Sequence, residues 1–114
     1  MIIYGIPNCD TVRKSRKWLT EYDVDHQFHD FRKNGLEETK LRGWCAELGW
    51  EALLNKRGTT WRQLPDKQKK KVDEEKAIAL MLEHVAMIKR PVLETPRGII
   101  VGFNNAHWQR TLIV

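Results

Sequence analysis

The chain has 114 residues, 41% of them hydrophobic and 31% charged, with a formal net charge of +5. That is enough for one ordinary domain, too little for two independent cores, and far from the apolar-poor balance of a disordered chain. Its longest apolar runs, Ala77 to Leu82 and Gly98 to Phe103, fall well short of the roughly 20 residues that span a bilayer. A membrane partner is therefore not expected, and with no basic leader before Ile2-Ile3-Tyr4 the expected location is the cytoplasm. Two cysteines in such a chain are too few for a disulfide framework. Cys9, Cys45, His26, His29, His84 and His107 show no metal-ligand spacing, so no metal and no bound cofactor are expected.

In chain order, Ile2 to Ile6 is short, apolar and β-branched, and Pro7-Asn8 ends it, which predicts a buried strand and a turn. Asn8 is placed to cap a helix from Cys9 to Tyr22 whose inward stripe is Val12, Ser15, Leu19 and Tyr22. A second strand follows over His26 to Phe31, where His26 and His29 point to opposite faces as surface or edge residues. The middle of the chain reads as helical. Leu41, Trp44, Cys45 and Leu48 form one stripe that Gly49 ends, and Trp50 to Leu54 forms another short turn. Thr60 is a candidate cap before Trp61 to Leu64. Asp73-Glu74-Glu75 opens a long helix buried through Ile78, Met81, Leu82, Val85 and Ile88. Strands then return at Val92 to Thr95 and Ile99 to Val101 around a Pro96-Arg97-Gly98 turn. Asn104 or Asn105 caps a last helix that turns Trp108 and Leu112 inward. The order is β-α-β, helices, β-β-α.

The basic excess is local. Lys56 to Lys71 holds seven basic residues and one acidic one, and the remainder is about neutral. A run such as Lys67-Gln68-Lys69-Lys70-Lys71 is by default a solvated helix face, and no groove-entering motif accompanies it, which argues against nucleic acid as a partner. The five tryptophans are expected to pack rather than to stack on bases. No large apolar stripe is left over, so a monomer is expected.

Chemistry concentrates at Cys9. In the first turn after a strand, unpaired backbone N–H groups and the positive end of the helix dipole favour an anion. A free thiol titrates at about 8.5, and such a setting beside basic side chains brings it to roughly 3.5 to 7.5. Arg13, four residues on, shares the helical face. A small buried cysteine at a strand-helix junction is the default alternative, but this position favours reactivity. Cys45, inside an apolar stripe, is expected to be buried and inert. Val12 stands where a C-x-x-C motif would have its second thiol, so a redox cycle needs an outside thiol.

Tyr4-Gly5-Ile6-Pro7-Asn8-Cys9-Asp10-Thr11-Val12-Arg13-Lys14, with Lys89-Arg90-Pro91-Val92 and Val101-Gly102-Phe103-Asn104, resembles the ArsC (arsenate reductase) family over essentially the whole chain. Within it the chain is similar to the small YffB-type proteins, glutathione-dependent thiol reductases, and then to the Spx/MgsR regulators. The resemblance implies an α/β, thioredoxin-like fold, a mixed four-stranded sheet with a helical insertion. The thioredoxin-like part would be about 1–32 and 89–114, and the insertion about 33–88, within one domain. It further implies a cis Arg90-Pro91 bond, Cys9 as nucleophile, Arg90 as anion-binding partner, and Asn8, Thr11, Arg13 and Pro91 as substrate or glutathione contacts. Glutathione would be co-substrate and bind along the edge of the strand that starts at Pro91, with a disulfide or an oxyanion as the other substrate.

Of three arginines that arsenate reductases place around the oxyanion, only Arg90 is matched. Asn55 and Phe103 stand at the other two positions, with Lys56 or Arg57 available to replace the first. Fewer fork-shaped donors argue against efficient arsenate reduction. The alternative implied by the likeness to Spx is a regulatory module that docks on RNA polymerase. The missing C-x-x-C thiol and the absence of a longer tail after the last helix speak against it.

Overall fold

The computed structural model describes residues 1–113, arranged as two compact units: Met1–Asp30 with Arg90 onward, and Phe31–Lys89. The first unit is built on a mixed four-stranded sheet in the order β2-β1-β3-β4, from β1 (Ile2–Gly5), β2 (Gln27–Asp30), β3 (Val92–Thr95) and β4 (Gly98–Val101). The β1 and β2 strands run parallel, joined through helix α1 (Asp10–Glu21), as a parallel pair requires. The β3 strand pairs antiparallel with β1 and β4, with Ile3 opposite Leu93 and Leu93 opposite Ile100. The alternation of β1 sends Ile3 and Leu93 to the face packed by Trp18 and Leu19 of α1 and by Trp108 of the terminal helix. Full burial of side chains this size contributes about 1.5–3 kcal/mol each.

Several local expectations change. Asn8 does not cap α1; Cys9 occupies the N-cap position in extended geometry and makes no side-chain cap hydrogen bond. Trp18, rather than Tyr22, joins Val12, Ser15 and Leu19 on the buried stripe. Tyr22 is 38% exposed and lies over Trp18, its hydroxyl accepting from Gln109 Nε2 at 2.6 Å. The second strand is shorter than expected because His26 turns its Nδ1 to the Val24 carbonyl and Phe31 already starts a helix. The β3-β4 hairpin turns over Pro96-Arg97, held by Thr95 Oγ1, which accepts from Arg97 N and donates to the Gly98 carbonyl.

The second unit is helical: α2 (Phe31–Asn34), α3 (Glu38–Leu48), α4 (Trp50–Leu53), α5 (Thr59–Arg62), α6 (Asp66–Lys69) and α7 (Glu74–Glu83). Its core gathers Phe31, Leu41, Trp44, Leu53, Met81, Met87 and Ile88, each 2% exposed or less. Gly49 ends α3 at φ 86°, a conformation for which glycine carries no Cβ penalty. Gly58, not Thr60, precedes α5 as its N-cap. The helix expected to run on to Ile88 stops at Glu83. His84 leaves the helical region at φ −128°, and Val85–Met87 forms a 3-10 turn. The reason is tertiary: Ile88 pairs with Leu54 in an antiparallel bridge, which needs extended backbone. The first unit ends with helix α8 (Asn105–Leu112), whose N-cap Asn104 accepts from His107 N.

Candidate active site

The site is assembled by β1, the turn after it and the residues before β3. Gly5 lets α1 approach the strand: a Cβ there would come within 2.7 Å of Val12 Cγ2. The chain then turns through Ile6-Pro7-Asn8, with Cys9 N donating to the Ile6 carbonyl at 3.2 Å, and the Cys9 carbonyl accepts the first helical bond from Arg13 N at 2.9 Å. This leaves the half-exposed Cys9 side chain at the opening of the helix. Because no side-chain cap closes that end, the N–H groups of Val12 and Thr11 remain to favour negative charge on Sγ.

Burial of the sulfur opposes ionisation. It is outweighed by the Val12 N–H, by the Arg90 guanidinium as donor and as charge, and by the Thr11 N–H, which together hold the Cys9 thiol below its ordinary value. Arg90 is half-buried, with its Nε fully enclosed, and the Arg90-Pro91 bond is cis. Cys45 is the opposite: it is 3% exposed, and burial, with the nearby Glu74 charge, pushes its thiol up despite Arg42.

The structure brings Cys9, Arg90 and the Thr11 backbone together. It does not bring Arg13 to the sulfur. That side chain bonds the Asn8 carbonyl at 3.1 Å and Asp10 Oδ1 at 3.2 Å on the exposed side of the helix. Asn8 enters only as the acceptor of that bond. Pro91 is buried, and its carbonyl accepts from Gly102 N at 2.8 Å. The β3 strand lies between β1 and β4 and so has no edge to offer. A ligand backbone cannot pair along it as expected; only the segment before Val92 is outside the ladder. Phe103 packs edge-on against Trp108 and Trp18, at 4.8 and 6.3 Å between ring centroids, an apolar role in place of an oxyanion donor.

Two arrangements escape the sequence. Tyr4 donates to Glu94 Oε1 at 2.7 Å and packs on His29, so a polar cluster crosses three strands on one sheet face. Alternation in each strand put these residues on one face, but the strand order was needed to bring them together. Lys56 lies between the rings of Trp50 and Trp61, each centroid 5.7 Å from Nζ, a pairing hidden by the loop between them. Among the described residues no cluster of His, Cys, Asp and Glu could hold a metal ion, and no helix is long and apolar enough to cross a membrane.

The model of the ArsC family matches residues 4–111. The chain is 39% identical over 107 residues to an uncharacterized protein of Haemophilus influenzae, covering 94% of each chain. It is 26% identical over 100 residues to the global transcriptional regulator Spx of Streptococcus pyogenes, covering 86% of this chain and 74% of that one. Among solved structures, the YFFB protein superposes with a TM-score of 0.93 at 48% identity over 97% of both chains. An arsenate reductase (ArsC) related protein from Brucella melitensis does so at 0.79 and 42%, over 99% of this chain and 94% of that one. The thioredoxin-like sheet, the cysteine at the head of its first helix and these likenesses lead to one conclusion: the chain belongs to the ArsC family.

Proposed function

We propose that the protein is a thiol-disulfide reductase that works with a single thiol, Cys9, and draws its electrons from glutathione. The observation that carries this reading is the depressed Cys9 thiol between the open start of α1 and the Arg90 guanidinium. The Cys9 thiolate attacks the glutathione sulfur of a mixed disulfide, the S–S bond breaks, and the substrate sulfur leaves as a thiolate and takes a proton from water. A glutathione thiolate then attacks the glutathione sulfur held on Cys9, which releases glutathione disulfide and restores the Cys9 thiolate. Two electrons reach the substrate, one disulfide is consumed and one is formed. Arg90 stabilises the thiolate as nucleophile and as leaving group. Phe103 and Asn55 supply no charge to a tetrahedral dianion, so arsenate is not the substrate we assign.

Intact mass after treatment with oxidised glutathione tests the reading. One adduct of glutathione on Cys9 is expected near neutral pH, removed by reduced glutathione, retained in Cys45→Ser and lost in Cys9→Ser. An unmodified Cys9, or one that reacts only where any free thiol does, overturns it. The 26% likeness to Spx supports a second reading, a regulatory module that docks on RNA polymerase. Co-purification of the polymerase with the Cys9→Ser protein, where thiol exchange is removed, is the result that favours it.

A further inference from the structure

The helical unit holds a recess lined by its own residues alone. It encloses about 370 Å³ and is lined by Glu51, Leu54, Asn55, Lys56, Arg57 and Lys89. Backbone pairing fixes its base: Leu54 bridges Ile88, Asn55 N donates to the Met87 carbonyl at 2.7 Å, and Lys89 N donates to the Leu53 carbonyl at 2.8 Å. Two segments far apart in sequence thereby bring Asn55, opposite Met87, and Lys89, opposite Leu53, to the lining of one recess. Asn55 Oδ1 accepts from Arg57 N at 3.0 Å, and Gly58 sits so near the amide that a Cβ would come within 3.2 Å of Nδ2. The turn that presents Lys56 and Arg57 is thus held in one shape. Trp50 and Trp61 flank the Lys56 ammonium, which orients the charge without neutralising it.

Among the described residues, Lys56, Arg57, Lys89 and Glu51 take part in no ion pair. Three uncompensated cations and one uncompensated carboxylate around a small cavity are the complement of a carboxylate that carries an ammonium beside it. We propose that this recess binds the α-ammonium carboxylate end of an amino acid or short peptide, its carboxylate meeting Lys56, Arg57 and Lys89 and its ammonium meeting Glu51. An inorganic oxyanion satisfies the cations but leaves Glu51 as a repelling neighbour. The volume, at the low end of the range of about 300–1,000 Å³ for small-molecule pockets, suits a ligand of amino-acid size.

The test is a titration of the full chain, labelled with ¹⁵N, with L-glutamate, N-acetyl-L-glutamate and inorganic phosphate. The indole N–H signals of Trp50 and Trp61, assigned through Trp50→Phe and Trp61→Phe, provide the readout. L-glutamate is expected to shift both signals saturably and to bind at least about fivefold tighter than its N-acetyl form. Lys56→Gln and Lys89→Gln are each expected to weaken it about tenfold, with Lys56→Arg restoring much of the loss. Glu51→Gln should bring L-glutamate and N-acetyl-L-glutamate to similar affinity. No saturable shift with L-glutamate, phosphate binding as tightly as L-glutamate, or binding indifferent to Lys56→Gln overturns the proposal. None of these ligands carries sulfur, so a failure of the reductase reading leaves this result untouched.

Discussion

Two cysteines of one chain show how little the residue type decides. Cys9 lies at an open helix start beside Arg90 and is held toward the thiolate, while Cys45 lies in an apolar stripe and is held toward the thiol. Replacing Arg90 by Gln removes both a donor and a charge, so the pH at which Cys9 alkylates half-maximally should rise; Arg90→Lys, which keeps the charge and loses the fork, should fall between. The rate of iodoacetamide labelling against pH checks this, and an unchanged profile in Arg90→Gln would remove Arg90 from the site. The same shift acts on stability. With the folded pKa below the unfolded one, Cys9 contributes stability that is present above the unfolded value of about 8.5 and is lost as pH falls through the folded value. Stability from denaturant unfolding should therefore rise toward pH 8.5 in the native protein more steeply than in Cys9→Ser. The position of Cys9 at a helix start was legible because strand, turn and helix start are local features. The remoteness of Arg13 was not, since two local partners, the Asn8 carbonyl and Asp10, draw its guanidinium away from the sulfur.

Elements with a strong local pattern were legible, and those shaped by distant partners were not. The Ile2–Gly5 strand, the helix after Cys9 and the β3-β4 hairpin follow from apolar runs and turn residues. The early end of α7 does not, because the bridge between Ile88 and Leu54 overrides a pattern that continues through Val85 and Ile88. Tyr22 likewise fits the stripe of α1, yet Trp18 takes the buried place because its ring packs edge-on against Trp108 and its Nε1 reaches Asn105 Oδ1 at 2.6 Å. Two positions test the elements that matter. Gly5→Ala puts a methyl group against the branched, fully buried Val12 and should cost about 1–3 kcal/mol, since neither strand nor helix can yield cheaply. Asp73→Ala removes the acceptor for Lys76 N at the start of α7 and should cost about 1 kcal/mol. Urea unfolding of both variants checks the ranking, and a smaller loss in Gly5→Ala than in Asp73→Ala would mean the strand and helix are less tightly apposed than the structure requires.

At the scale of the molecule, the order β-α-β, helices, β-β-α was readable from sequence, and so was the concentration of charge between Lys56 and Lys71. What that charge is attached to was not. A solvated helix face was the expectation for Lys67 to Lys71; the helix there, α6, is a single turn that ends at Lys69, and Pro65 separates it from the one-turn α5, so the basic segment is not carried on one helix. Some of the amines are also engaged locally: Lys69 Nζ donates to the Arg62 carbonyl at 3.0 Å, and Lys56 stands between two indoles. Sequence recognition in the major groove needs a rigid element that carries several side chains to base edges, whereas attraction to phosphates needs only positive charge. A net charge of +5 therefore predicts weak, salt-sensitive association with duplex DNA and no preference among sequences. With about four phosphate contacts, affinity should drop about a hundredfold between 50 and 200 mM salt. Fluorescence anisotropy with two unrelated duplexes across that range measures both quantities. A preference of tenfold or more for one duplex that survives at the higher salt would show that the segment forms a reading head after all, and would shift the weight of the functional argument from Cys9 to the basic segment.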